Sequence, residues 1–362
     1  MKIGVPKEIK NNEYRVGLTP RSVQILSNSN HQVYIQKDSG AEIGFLDEHY
    51  ENAGAKILTS PEKVYELSEL IIKVKEPIPE EYKYLNENHT LFAYLHLAGN
   101  KKNAIDLTST GISGIALETV TAEDGSMPLL SPMSSIAGQL SIIVGSYHLL
   151  KPYNGMGTLI GEIENIDPRV VTVIGAGVAG TEAIKKAINN KAYLKVIDLS
   201  KEKLKDLQKT FGNNNIEYIE STERSIEEAL KVSDLVIGSV YVLGKQAPKV
   251  VTNNMLRKMK QGAVIVDISI DQGGCFESSI PTTHDNPTYV KDGVIHYCVT
   301  NMPGAVPLTA TEALNKATLP YILELANKGV DLALKENIHL ANGLNIKNGK
   351  VVHSSVREAL SL

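Results

Sequence analysis

The sequence has no Trp, only four Phe and only two Cys. The two thiols, Cys275 and Cys298, cannot form a disulfide framework, and no CxxC pair or Cys/His cluster is present to hold zinc. Both are expected to be reduced and buried. Long apolar runs are also missing, since none approaches the roughly 20 residues that a membrane-spanning helix requires. The opening, Met1-Lys2-Ile3-Gly4-Val5, reads as a first strand rather than a signal peptide. Neither sign of charge dominates: 37 Lys and Arg against 41 Asp and Glu leave a net charge of −4. No basic cluster is present that would track a nucleic acid or an anionic membrane. The expectation is therefore a cytoplasmic protein with no metal, no nucleic-acid partner and no membrane partner. The scarcity of aromatic residues carries no functional implication, and no internal repeat or low-complexity tract is visible.

What is present is the composition of a soluble globular protein, 42% apolar and 22% charged. At 362 residues the chain exceeds one ordinary core and points to two domains. The most informative stretch is 169–198. An apolar β-branched run over 170–174 reads as a buried parallel strand and passes directly into Gly175-Ala176-Gly177-Val178-Ala179-Gly180. Helical spacing follows over 179–188, and a second apolar run over 194–197 ends at Asp198. In such a unit Gly175 permits the turn, Gly177 lets the backbone approach a pyrophosphate, and Gly180 allows close helix–strand packing. The phosphates would sit on the positive end of the helix. Asp198 stands where a carboxylate accepts hydrogen bonds from the adenosine ribose hydroxyls, and its charge would repel an added 2′-phosphate. NAD rather than NADP is the expected cofactor.

Residues 1–128 alternate apolar runs (2–5, 32–36, 70–74, 91–94 and 112–117) with helical segments (19–27, 47–53, 61–67 and 103–108). This βα rhythm predicts a second parallel sheet, and because it lacks a phosphate loop it is the candidate substrate domain. Three polar residues stand out in it. Arg15 ends the loop Asn11-Asn12-Glu13-Tyr14-Arg15, Lys75 follows the 70–74 strand, and His96 follows the 91–94 strand. Each alone has an ordinary structural explanation. Together, two cations for a carboxylate and one imidazole are equipment for a small 2-oxo or 2-amino acid.

Ser131 is expected to cap a helix with Pro132 in its first position, running to about residue 150 and linking the domains. The nucleotide-binding domain spans 129–306. After Asp198 it continues with helices over 201–210, 222–231 and 252–259 and strands over 216–219, 235–238, 263–268 and 294–297. Asp271 and Asn301 each follow a strand and are expected to face a cleft between the domains. Residues 307–327 predict a long helix returning to the first domain, which 330–362 completes.

Taken in order, Lys73-Val74-Lys75-Glu76-Pro77, Leu95-His96-Leu97-Ala98, Ser131-Pro132-Met133-Ser134, the glycine turn with Asp198, the run 267–277 and Asn301-Met302-Pro303 resemble bacterial L-alanine dehydrogenases. The resemblance runs from Met1 nearly to the C-terminus. It implies an α/β fold of two Rossmann-like, doubly wound parallel-sheet domains with a cleft between them, assembled as a homohexamer. It also implies NAD-dependent, reversible oxidative deamination of L-alanine to pyruvate and ammonium. In this likeness Arg15 and Lys75 match substrate-binding residues, and His96 and Asp271 the catalytic pair. Ser134 matches a contact to the cofactor phosphate, and Asp198 and Lys203 match ribose contacts. Ser221, Val240, Ile268, Asp271, Asn301 and Met302 match residues along the adenine-to-nicotinamide path, beside Gly175, Gly177, Val178, Ala179 and Gly180.

The chain departs from that pattern at Ser135 and Gln139, where relatives carry an ion pair, in the link over 161–165, and at Leu243, where proline is common. Three alternatives remain open: the soluble NAD-binding component of a proton-translocating transhydrogenase, another amino-acid dehydrogenase such as one of the saccharopine type, and a non-catalytic NAD-binding homologue.

Overall fold

The computed structural model describes residues 1–242 and 246–362, so Leu243 lies outside the described residues. The chain forms two compact units, Met1–Met133 with Gly304–Leu362, and Ser134–Pro303.

The first unit begins with β1 (Lys2–Val5), β2 (Gln32–Gln36), β3 (Lys56–Leu58), β4 (Leu70–Ile72), β5 (Thr90–Ala93) and β6 (Ser113–Ala116). These six are mutually parallel in the order β3-β2-β1-β4-β5-β6. β4 is an unbroken apolar run, and every residue of β4 and β5 is buried, as expected of central strands covered on both faces. In the second unit β7 (Val170–Ile174), β8 (Tyr193–Asp198), β9 (Ile216–Glu220), β10 (Leu235–Gly238) and β11 (Val264–Asp267) are followed by β12 (Thr288–Lys291) and β13 (Val294–Tyr297). The order is β12-β13-β11-β10-β7-β8-β9. Without β12 this repeats the first unit's pattern, so both sheets are doubly wound and reverse direction between their first and fourth strands.

Both sheets are predominantly parallel, as expected, with antiparallel strands added at one edge of each. β12 is antiparallel to β13, and β14 (Leu344–Lys347) is antiparallel to both β6 and β15 (Lys350–Val351). Two of these antiparallel pairs, β12 with β13 and β14 with β15, are closed by tight hairpins. Asp292-Gly293 and Asn348-Gly349 all have positive φ, the geometry that two-residue hairpin turns require.

The helix expected to start after a Ser131 cap instead includes it, spanning Ser131–His148. The Ser131 N–H already donates to the Met127 carbonyl at 2.9 Å, closing a helical turn one residue early. Pro132 stays within the first turn, where its missing N–H is not needed. The long helix Pro307–Lys328 belongs to the first unit and holds the chain just past Arg15. Thr311 Oγ1 accepts the Val16 N–H at 3.3 Å, and Asn315 accepts the Thr19 N–H at 2.8 Å while donating to the Gly17 carbonyl.

Candidate active site

In the first unit the polar residues singled out from the sequence follow the carboxyl ends of strands at or beside the point where the sheet reverses. Arg15 lies on the loop after β1, Lys75 follows β4 and His96 follows β5. Arg15 is buried, with 2% of its surface exposed, and is gripped by Glu13: Nε donates to Oε1 at 2.7 Å and Nη2 to Oε2 at 2.6 Å. Burial alone would raise the Glu13 pKa, but the guanidinium outweighs it and holds the carboxyl at about 2. Lys75 is buried and, among the described residues, has no carboxylate within ion-pair distance. Its backbone is fixed by Glu8, whose Oε1 accepts the amides of Val74 at 2.6 Å and Lys75 at 3.3 Å. Glu8 Oε2 meets the Lys73 ammonium at 2.9 Å, and Lys73 also pairs with Glu81.

The His96 backbone lies in the left-handed region, with φ 47° and ψ 33°. Its ring stacks on Tyr94, centroids 5.9 Å apart and planes 17° from parallel, and the Tyr94 hydroxyl donates to the Leu129 carbonyl at 2.6 Å. Arg15, Lys75 and His96 share one electrostatic neighbourhood. Glu13 feels both Arg15 and Lys75, and Glu76 is pushed up by burial but pulled below the usual carboxylate range by Lys75, His96 and Lys10. The carboxylates Glu8, Glu13 and Glu118, which organise this site, were not identified from the sequence. Glu13 alone had a local signal, two residues before Arg15.

In the second unit the glycine turn has the geometry its spacing predicts. Gly175 has φ +92°, and a Cβ there would lie 2.7 Å from the Ser239 carbonyl oxygen. A Cβ at Gly180 would lie 1.9 Å from the Gly175 carbonyl oxygen, so only glycine lets the helix Val178–Asn189 approach β7 this closely. At Gly177, by contrast, a Cβ would meet nothing within 4 Å, and no side chain caps the helix that starts there. The opening amides of that helix, including those of Val178 and Ala179, are thus left without a side-chain cap beside open space, the arrangement that suits an anion such as a pyrophosphate.

Asp198, at the end of β8, accepts the Ala176 N–H at 2.7 Å on Oδ2 and the Ser200 N–H at 2.8 Å on Oδ1. Lys203 lies 3.8 Å from it, and the Ser221 N–H donates to its backbone carbonyl at 2.9 Å. Val240 follows β10, and its carbonyl accepts the Ser269 hydroxyl at 2.8 Å. Ile268 and the exposed Asp271 lie on the 3-10 turn after β11. The Asn301 N–H donates to Asp271 Oδ2 at 3.5 Å, and Met302 beside it is buried. Asp267 is structural, because its two oxygens accept the Ser269 and Cys275 amides and the Ser279 hydroxyl, tying both ends of that loop together.

Ser134 lies one helical turn before Gly138, where a Cβ would come within 2.1 Å of the Ala179 carbonyl oxygen. Gln139 donates to the Glu182 carboxylate at 3.1 Å, at the departure noted in the sequence. Cys275 and Cys298 are free and buried. The uncapped helix, the open space at Gly177 and the carboxylate of Asp198 together fit a dinucleotide.

Two doubly wound sheets, one carrying this glycine turn, define an α/β dinucleotide-binding protein. The family model "Alanine dehydrogenase/PNT, N-terminal domain" matches residues 4–137, and "Alanine dehydrogenase/PNT, C-terminal domain" matches 141–354. The chain is 49% identical to an alanine dehydrogenase of Staphylococcus haemolyticus and 47% identical to one of Halomonas elongata, covering 100% of this chain and 97% of each relative. A solved L-alanine dehydrogenase superposes with a TM-score of 0.94 at 44% identity, covering 100% of this chain and 99% of the other. The chain belongs to the alanine dehydrogenase/PNT family. A transhydrogenase from Sinorhizobium meliloti shares the fold, with a TM-score of 0.82 at 22% identity over 98% of this chain and 100% of that one.

Proposed function

We propose that this protein is an NAD-dependent enzyme that oxidatively deaminates L-alanine to pyruvate and ammonium and runs the reverse amination. The observation that carries the reading is the placement of Arg15, Lys75 and His96 after neighbouring strands of one sheet, in a chain nearly half identical along its whole length to alanine dehydrogenases. When bound, NAD accepts the hydrogen and electron pair leaving the substrate Cα. Arg15 and Lys75 bind the carboxylate, and holding it fixes Cα in one orientation, which removes most of the entropic cost of the encounter. Glu13 holds the guanidinium still, so little of that orientation is lost to side-chain motion. Water then attacks the imine and ammonia departs, and both steps move a proton. His96 handles these transfers, since imidazole is the side chain that exchanges protons near neutral pH. The Lys75 cation polarises the developing carbonyl oxygen. Asp271 orients water or the amino group.

On this reading Gly175, Gly177, Val178, Ala179 and Gly180 cradle the pyrophosphate with Ser134, and Asp198 and Lys203 hold the ribose. Ser221, Val240, Ile268, Asn301 and Met302 line the remaining path. The first unit binds substrate and the second the dinucleotide. The proposed assembly is a homohexamer, to be checked by light scattering, and the proposed compartment is the cytoplasm. Among the described residues no helix is long and apolar enough to cross a membrane.

The test is absorbance at the NADH band. NADH should appear with NAD and L-alanine at alkaline pH, and should be consumed only when pyruvate and ammonium are both supplied. Silence in both directions from folded protein that still binds NADH overturns the proposal and leaves a non-catalytic homologue.

A further inference from the structure

The backbone around His96 is held by a residue 22 positions away in the sequence. Glu118 lies on the 3-10 turn Leu117–Thr119 that follows β6, the direct neighbour of β5 in the sheet. Its Oε1 accepts the His96 N–H at 2.7 Å and the Leu95 N–H at 3.2 Å, and its Oε2 lies 3.3 Å from the same Leu95 nitrogen. On either side of His96, Leu95 and Leu97 are buried in the apolar core of the first unit. His96 itself is partly exposed and in the left-handed backbone region, which a residue with a Cβ enters only under local constraint. The two leucines pin the ends of the turn. The carboxylate pins its middle, and its charge strengthens both hydrogen bonds.

We propose that Glu118 is a positioning residue that sets the direction of the His96 imidazole by accepting the two amides of this strained turn. The inference rests on the assignment of His96 as the proton-exchanging group above. Glu118 touches neither substrate nor cofactor in this role and does not itself transfer a proton. Released from it, the turn relaxes toward the right-handed or extended region, and the ring leaves the position its Tyr94 stack now shares. One oxygen serves both amides, so a glutamine carbonyl can replace it, whereas alanine cannot.

The experiment compares wild type, Glu118→Gln and Glu118→Ala in steady-state turnover of L-alanine, NADH binding and amide hydrogen exchange over residues 94–97. Glu118→Ala should lower kcat about 100-fold, the usual consequence of a reacting group displaced by about 1 Å. NADH affinity and the melting of the second unit should stay unchanged. Exchange at Leu95 and His96 should quicken about tenfold with the loss of a charge-assisted hydrogen bond. Glu118→Gln should recover most of kcat and most of the protection.

Equal loss of kcat in both variants would make the carboxylate's charge or proton the active element and overturn the positioning role. Wild-type kcat or wild-type exchange in Glu118→Ala would also overturn it. Silence of the wild type would instead defeat the functional reading, and the exchange experiment, which needs no turnover, would still test the hold on the turn.

Discussion

The Glu13 carboxylate and the Arg15 guanidinium form a two-pronged ion pair buried in the first unit, with side-chain exposures of 0% and 2%. A buried pair of this kind is costly to break from one side, because the surviving charge is left without a partner. Glu13→Gln keeps the shape and one acceptor but turns an amide N–H toward the guanidinium. It should destabilise the protein by about 3 kcal/mol in urea unfolding. It should also raise KM for L-alanine about tenfold, as a charge-assisted hydrogen bond to the substrate carboxylate loses alignment.

The same pair fixes an acid limit. Burial favours the neutral acid, but Arg15 wins and brings Glu13 to about 2, below its ordinary value of 4.5. A folded-state value below the unfolded one means the stabilisation is complete above pH 4.5. It is lost as pH falls from 4.5 through 2. Unfolding free energy measured across that window should fall less steeply in Glu13→Gln than in wild type. Equal slopes would show that Glu13 is not ionised by Arg15 in the fold.

The glycines of the turn make opposite predictions from one motif. At Gly180 an added Cβ would lie 1.9 Å from a backbone oxygen that cannot yield, so Gly180→Ala should cost about 3 kcal/mol of stability. At Gly177 the space is open and φ is an ordinary −68°. Gly177→Ala should therefore melt at the wild-type temperature yet bind NADH at least tenfold more weakly, because its methyl fills the space assigned to the pyrophosphate. Melting curves and fluorescence titration of the two variants separate these outcomes. Undiminished NADH binding by Gly177→Ala would remove the pyrophosphate from that position.

His96→Ala removes the proposed proton carrier and leaves the turn's amides free to keep their acceptor, Glu118. Turnover should fall below detection while NADH affinity stays within about twofold of wild type, since general acid–base catalysis is worth about 10²–10⁴-fold in rate. Loss of NADH affinity to the same degree would make His96 structural.

Features governed by near neighbours in the chain were legible in the sequence. The strand–glycine–helix unit, the βα alternation and the positions of Arg15, Lys75 and His96 after strands all follow from local pattern. Local signals were also present and missed: Asp292-Gly293 and Asn348-Gly349 mark the two hairpins that add antiparallel edges. β3 was hidden by its brevity and its leading lysine at a sheet edge. Glu8 and Glu118 could not be found this way. Each carboxylate grips amides 66 and 22 residues away respectively, and only the strand order β1-β4-β5-β6 brings those segments together.

Asp198 carries a prediction that spacing alone would have stated too simply. Both its oxygens already accept backbone amides, one from Ala176 inside the glycine turn and one from Ser200. Each oxygen has a further lone pair, so on the proposed reading the residue can brace the turn and still accept a ribose hydroxyl. Asp198→Ala should weaken NADH binding by about 10- to 100-fold, the range expected for lost hydrogen bonds to a charged group. It should also narrow the preference for NAD over NADP by removing the charge that repels a 2′-phosphate. Asp198→Asn separates the two roles, since its carbonyl can keep the Ala176 amide while the repulsive charge is gone. NADPH should gain on NADH in this variant with little loss of thermal stability. If the ratio of the two affinities, measured by titration, is the same in wild type and Asp198→Asn, the aspartate braces the turn and has no part in choosing the cofactor.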